Sequence, residues 1–89
     1  MPYDAFRAGE SLLIEDLRSD KPRVEIFGNS RVVVENHKGI LEYDDTLLRV
    51  KCSGCEVSIT GDGLTLAALT LSELAVTGTI VSVDYRTGG

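Results

Sequence analysis

The residues best suited to chemistry are Cys52 and Cys55, set three apart in Cys52-Ser53-Gly54-Cys55. Two such thiolates can share one Zn²⁺, but a closed structural site needs four ligands, and His37 is the only obvious nitrogen donor left. One chain cannot complete that set, whereas two copies contributing a pair each could. A thioredoxin-type role expects the pair at the start of a helix after a strand, where the dipole lowers a thiol pKa. Here the pair falls between two strand-like segments. A disulfide across the turn is sterically allowed, since the ends of a β-turn lie within about 7 Å, but a cytosolic compartment would keep it reduced. The plainest reading is a hairpin turn in which Gly54 supplies a positive φ and the cysteines are small apolar strand ends.

The other candidates are weaker. His37 lies in a polar stretch two residues after Glu35. To act as a general base it would need an oriented nucleophile, and the sequence holds no G-x-S-x-G or comparable arrangement. Asp44-Asp45 and Asp62 lack the spaced carboxylates and closing Glu of an EF-hand loop and read as turn residues. Gly61-Asp62-Gly63 precedes a strand rather than a helix and has no Lys-Ser/Thr after it, so it is no phosphate loop. The expectation is a protein that is not an enzyme, with no catalytic, cofactor-binding or metal residues and no cofactor. A small metal- or ligand-binding protein using Cys52 and Cys55 is the alternative.

The elements that would position these residues are strands. Of the 21 Val, Ile and Thr residues only Ile14 precedes position 24, and β-branched side chains favour a pleated, half-buried surface. The chain therefore divides into an N-terminal arm (1–21), a single β domain (22–86) and a short tail (87–89). Strands are expected at 24–28, 31–35, 40–43, 47–52, 56–60 and 64–66, with one long or two short strands over 74–85. In Glu56-Val57-Ser58-Ile59-Thr60 strict alternation puts Val57 and Ile59 on one face. In the last stretch Leu74, Val76 and Ile80 share one parity and Val81, Val83 and Tyr85 the other, which a β-bulge near Gly78 or a strand buried on both faces would explain. In the arm, Phe6, Leu13 and Leu17 can share a helical face, so a short helix over 11–18 is expected, the alternative being an arm that orders on a partner. The fold class is all-β: a small antiparallel sandwich or partly open barrel of six to seven short strands, with a short β-solenoid as the alternative.

Charge narrows the partners. With 14 acidic residues against 9 basic and no basic cluster, the chain lacks the Lys and Arg that nucleic acid or an anionic membrane would require. The longest apolar run, Leu66-Ala67-Ala68-Leu69, is far short of the roughly 18 residues of a membrane span, and Met1-Pro2-Tyr3-Asp4 does not open a secretory signal. A cytoplasmic protein is expected. From Val57 to Val83 the only charged residues are Asp62 and Glu73. That half is either the core of the domain or a face that joins a second copy or a larger assembly.

Read together, Pro22-Arg23-Val24-Glu25-Ile26-Phe27-Gly28-Asn29 and Val34-Glu35-Asn36-His37-Lys38-Gly39-Ile40 resemble the YabP/YqfC family of small bacterial sporulation proteins, and within it the YqfC branch. The later positions Val57-Ser58-Ile59-Thr60-Gly61, Leu64-Thr65-Leu66 and Leu74-Ala75-Val76-Thr77-Gly78-Thr79-Ile80 continue the similarity over residues 22–85. Cys52 and Cys55 depart from the family pattern, and the arm before Pro22 matches poorly. The resemblance implies a role in spore coat or cortex assembly in the mother cell, at the forespore surface, through contacts with other sporulation or spore-envelope proteins. A homo-oligomer fits the low-charge half.

Overall fold

The computed structural model describes residues 21–87. The helix expected over 11–18 and residues 88–89 of the tail lie outside them. Six strands form: β1 (Arg23–Phe27), β2 (Arg31–Glu35), β3 (His37–Tyr43), β4 (Leu47–Cys52), β5 (Cys55–Leu69) and β6 (Glu73–Thr87). All pair antiparallel in one open sheet of order β1-β2-β6-β5-β4-β3. The all-β expectation holds, and the strands are not the stacked rungs of a solenoid.

A strand of 15 residues, as β5 and β6 both are, is about three times the usual length. Their two ends carry different neighbours. β2 pairs with β6 only over Glu73 to Thr77, and β4 pairs with β5 only over Cys55 to Thr60. The β5–β6 register shifts at Thr60/Gly61 and Asp62/Thr65, between these zones, and again at Leu66/Ala68, within the zone paired with β2, and such shifts bend a strand pair. Val32, Val34, Leu74 and Val76 from one end then join Leu48, Val50, Val57 and Ile59 from the other in a single core cluster. All but Leu74, at 1%, have no exposed surface. One sheet, folded over its own inner face, is its own second layer.

Gly61-Asp62-Gly63 is therefore not the turn that its composition indicates but a bend inside β5. The reason is tertiary: Gly61 N–H donates to the Thr46 carbonyl (3.0 Å) and Leu64 N–H to the Asp45 carbonyl (2.9 Å). The parity change in β6 comes from one inserted residue. Thr60 faces Ser82 and Gly61 faces Ile80, which leaves Val81 unpaired and 70% exposed. Gly78, with φ 136°, sits at the next irregularity.

The low-charge window 75–81 runs through the middle of the sheet. Over residues 75–77 β6 is flanked by β2 and β5, and beyond them Gly78 and Ile80 N–H donate to the Ser30 and Asn29 carbonyls, so this part of β6 presents no open edge before Val81.

Candidate functional site

The sequence of Asn36-His37-Lys38-Gly39 predicts a polar break, yet β3 already begins at His37. A single residue, Asn36, joins β2 to β3, which lies at the far edge of the sheet. Its φ of 64° turns the chain from one end of the folded sheet to the other, and Asn tolerates that left-handed conformation. The corner is pinned by Asn36 N–H to the Ser72 carbonyl (2.6 Å) and by the Asn36 side-chain amide to the Lys21 carbonyl (3.1 Å).

His37 is 6% exposed and bonded at both ring nitrogens. Gly39 N–H donates to Nδ1 (3.0 Å), so Nε2 carries the proton and donates to the Thr70 carbonyl (2.9 Å). The imidazole ties the start of β3, where Lys38 bulges out of register, to the turn between β5 and β6. No catalytic nucleophile is in its hydrogen bonds. Beside it, Lys38, Gly39 and Ile40 face Leu69, Thr70 and Leu71 across a mainly apolar cleft of about 550 Å³.

Cys52 and Cys55 face each other at the end of the β4–β5 hairpin. Gly54 has φ 76° while Ser53 keeps a negative φ, the pattern of a type II turn. Both thiols are free. Burial, reinforced by the neighbouring Cys55, pushes the Cys52 thiol up to about 11. At neutral pH it is protonated and a poor nucleophile or metal ligand. Among the described residues no group of three or more His, Cys, Asp and Glu side chains is placed to hold a metal ion. Folded protein is accordingly expected to alkylate at Cys52 far more slowly than unfolded protein at pH 8, the gap closing as pH approaches 11; mass mapping of iodoacetamide adducts checks this. The same shift means that stability falls as pH rises from about 9 to 11, because the unfolded thiol ionises first.

On the outer face of the sheet Arg49 bridges three strands. It donates from Nε to Glu56 (2.6 Å), from Nη2 to Glu56 (3.0 Å) and from Nη1 to Glu42 (3.1 Å). The paired guanidinium holds the Glu56 carboxyl below its usual range. This exposed network fixes register and adds little stability. Asp44 accepts from the N–H groups of Thr46 (2.8 Å) and Leu47 (2.8 Å) and from the Thr46 hydroxyl. It is a turn residue, as its sequence context indicates, and those bonds hold its carboxyl low.

Among the described residues, then, no metal-ligating cluster is assembled and His37 is engaged with backbone groups. The model of the YabP family matches residues 18–89. The chain belongs to the YabP family. The uncharacterized protein YqfC of Bacillus subtilis (strain 168) is 29% identical over 70 residues, covering 79% of this chain and 75% of that protein. No solved structure matches. The match omits most of the arm, in line with its poor fit to the family pattern.

In this YabP-family chain Glu35-Asn36-His37 is thus the corner on which the folded sheet closes. Two features were not legible beforehand. The Tyr43 hydroxyl donates to the Leu64 carbonyl (3.1 Å) and accepts from Leu66 N–H (3.1 Å), taking two backbone groups on the side of β5 away from β6. Apolar side chains also stand out at the margins: Ile26 and Phe27 on edge strand β1, Val81 and Tyr85 on the last part of β6, and Leu69 and Leu71 at the β5–β6 turn. An isolated leucine in Thr70-Leu71-Ser72, where turn residues are usually polar, is the one signal that could have found part of this. Among the described residues no helix is long and apolar enough to cross a membrane.

Proposed function

We propose that this chain is a non-enzymatic sporulation protein that works through protein–protein contacts in assembly of the spore envelope, coat or cortex. It would act in the mother-cell cytoplasm, at the forespore surface. Membership of the YabP family supports the sporulation role. The observation that carries the contact role is the margin of the open sheet. Ile26 shares the inward parity of Val32, its partner in register, yet is 54% exposed, and Phe27 beside it is 48% exposed. Within β1 the charges are Arg23 and Glu25, at its start, and at its end the Arg31 guanidinium of β2 lies 5.6 Å from the ring centre of Phe27, a side chain still left half exposed. An edge with unpaired backbone groups and uncovered apolar side chains favours addition of another strand, and full burial of each large side chain is worth about 1.5–3 kcal/mol. Of the low-charge residues of β5 and β6, Val57, Ile59, Leu64, Leu74, Val76 and Ile80 serve as the core, while Leu69, Val81 and Tyr85 stand out at the margins and belong to the proposed contact surface.

The test uses Phe27→Asp with Tyr85→Asp in an endospore former lacking its own copy. Wild-type protein should restore heat-resistant spore counts and associate with rising concentration by light scattering. The variant should fold, by circular dichroism, but do neither. A folded variant that restores sporulation fully would sink the reading.

A further inference from the structure

The cleft between Lys38, Ile40 and the β5–β6 turn is a mainly apolar surface with one charged residue, Lys38, in its lining. Leu71 on its rim is 99% exposed and Leu69 54% exposed. We infer that the N-terminal arm of the same chain occupies it, with Leu13, Ile14 and Leu17 against Ile40, Leu69 and Leu71 and the arm's acidic residues beside Lys38.

Three observations converge on this occupant. The first is where the arm joins the sheet. Asn36 holds the Lys21 carbonyl (3.1 Å) through its side chain and the Ser72 carbonyl (2.6 Å) through its N–H. Asn36 adjoins His37 on one wall of the cleft, and Ser72 adjoins Leu71 on the other. Leu17 is four residues before Lys21, so even a fully extended chain keeps it within about 14 Å of this corner. The second is charge. Residues 1–20 hold five acidic side chains (Asp4, Glu10, Glu15, Asp16, Asp20) and two basic ones (Arg7, Arg18). Glu35 and Glu73 face each other on the outer side of the same corner and repel such a segment, whereas Lys38 on the cleft attracts it. The third is apolar content. Leu12-Leu13-Ile14 and Leu17 supply apolar side chains that match the cleft's Ile40, Leu69 and Leu71, and its volume of about 550 Å³ accommodates several. An outside partner using this cleft would have to displace the arm.

The experiment is NMR on the full-length chain with labelled methyl groups. Contacts from the methyls of Leu13, Ile14 and Leu17 to those of Ile40, Leu69 and Leu71 are expected. Leu71→Asp and Lys38→Glu, made separately in the full chain, should each abolish them and raise amide exchange over residues 10–18 at least tenfold. Neither touches the core, and unchanged β4 and β5 resonances would show that the sheet is intact. Absence of these contacts in the wild type, arm contacts to a different face, contacts seen only between differently labelled copies, or unchanged exchange in both variants would each overturn the inference.

Discussion

Gly61→Ala is expected to remove about 3 kcal/mol or more from a domain whose total stability is of order 5–8 kcal/mol, and to move the urea midpoint to a small fraction of the wild-type value. A Cβ on Gly61 would overlap the backbone carbonyl of Thr79 and come within 3.0 Å of Leu64. The carbonyl cannot retreat easily. It lies between Gly78, where an added Cβ would itself stand 2.7 Å from the Gly63 carbonyl, and Ile80, whose N–H is held by Asn29 (2.7 Å). At this crossing β5 and β6 touch through backbone alone, and the fold of the sheet depends on that approach. Gly63→Ala is the control. An added Cβ there meets nothing within 4 Å, although φ is 62°, so only conformational strain of about 1 kcal/mol applies. Denaturation followed by circular dichroism should rank the two in that order. Equal midpoints would show that close approach at Gly61 does not govern the bend.

The second large effect is expected at His37. His37→Ala leaves the Thr70 carbonyl and the Gly39 N–H without their ring partners in a part-buried setting and opens a cavity where the buried imidazole stood, a loss of about 3 kcal/mol. His37→Phe refills the volume but satisfies neither group, so it should still cost about 2 kcal/mol. The two variants separate packing from hydrogen bonding. A fully stable phenylalanine variant would mean that the ring fills space and nothing more. In both, exchange at the Gly39 amide should accelerate before that of the β4 and β5 amides, because the bond lost is the one that holds it.

The strands that stood out in the sequence were those whose signal is local. β1, β2, β4 and the alternating start of β5 were legible from their β-branched residues, and the Cys52–Cys55 hairpin from Gly54. What could not be read depends on contacts distant in sequence. Asn36, His37 and Lys38 have turn-like side chains, yet His37 is buried, because the Gly39 N–H and the Thr70 carbonyl satisfy its ring. Two glycines around Asp62 punctuate a sequence in the way a turn does, but Asp45 and Thr46 hold the backbone there in strand pairing. The low-charge stretch 75–81 allowed two readings; strand order places residues 75–77 between β2 and β5, while Val81 stands out at the margin. Strand order itself leaves no mark in composition. For the candidate site, the cysteine turn and Asp44 were recognisable as structural, while the exposed margins were not, since an apolar residue reads the same whether or not a neighbour covers it.

The sheet order also has a consequence for biosynthesis. One of the two neighbours of β2 is β6, the last of the six strands to be made: Arg31 to Glu35 pair with Thr77 to Glu73. During translation the apolar run Val32-Val33-Val34 leaves the ribosome well before the segment that will pair with it. At usual elongation rates of about 5–20 residues per second, the delay is about 2–8 s. The first hairpin must spend that interval with one flank bare, so chaperone capture or premature pairing with a neighbouring nascent chain competes with folding at that step. The ribosome, rather than any isolated hairpin, sets when this domain can close.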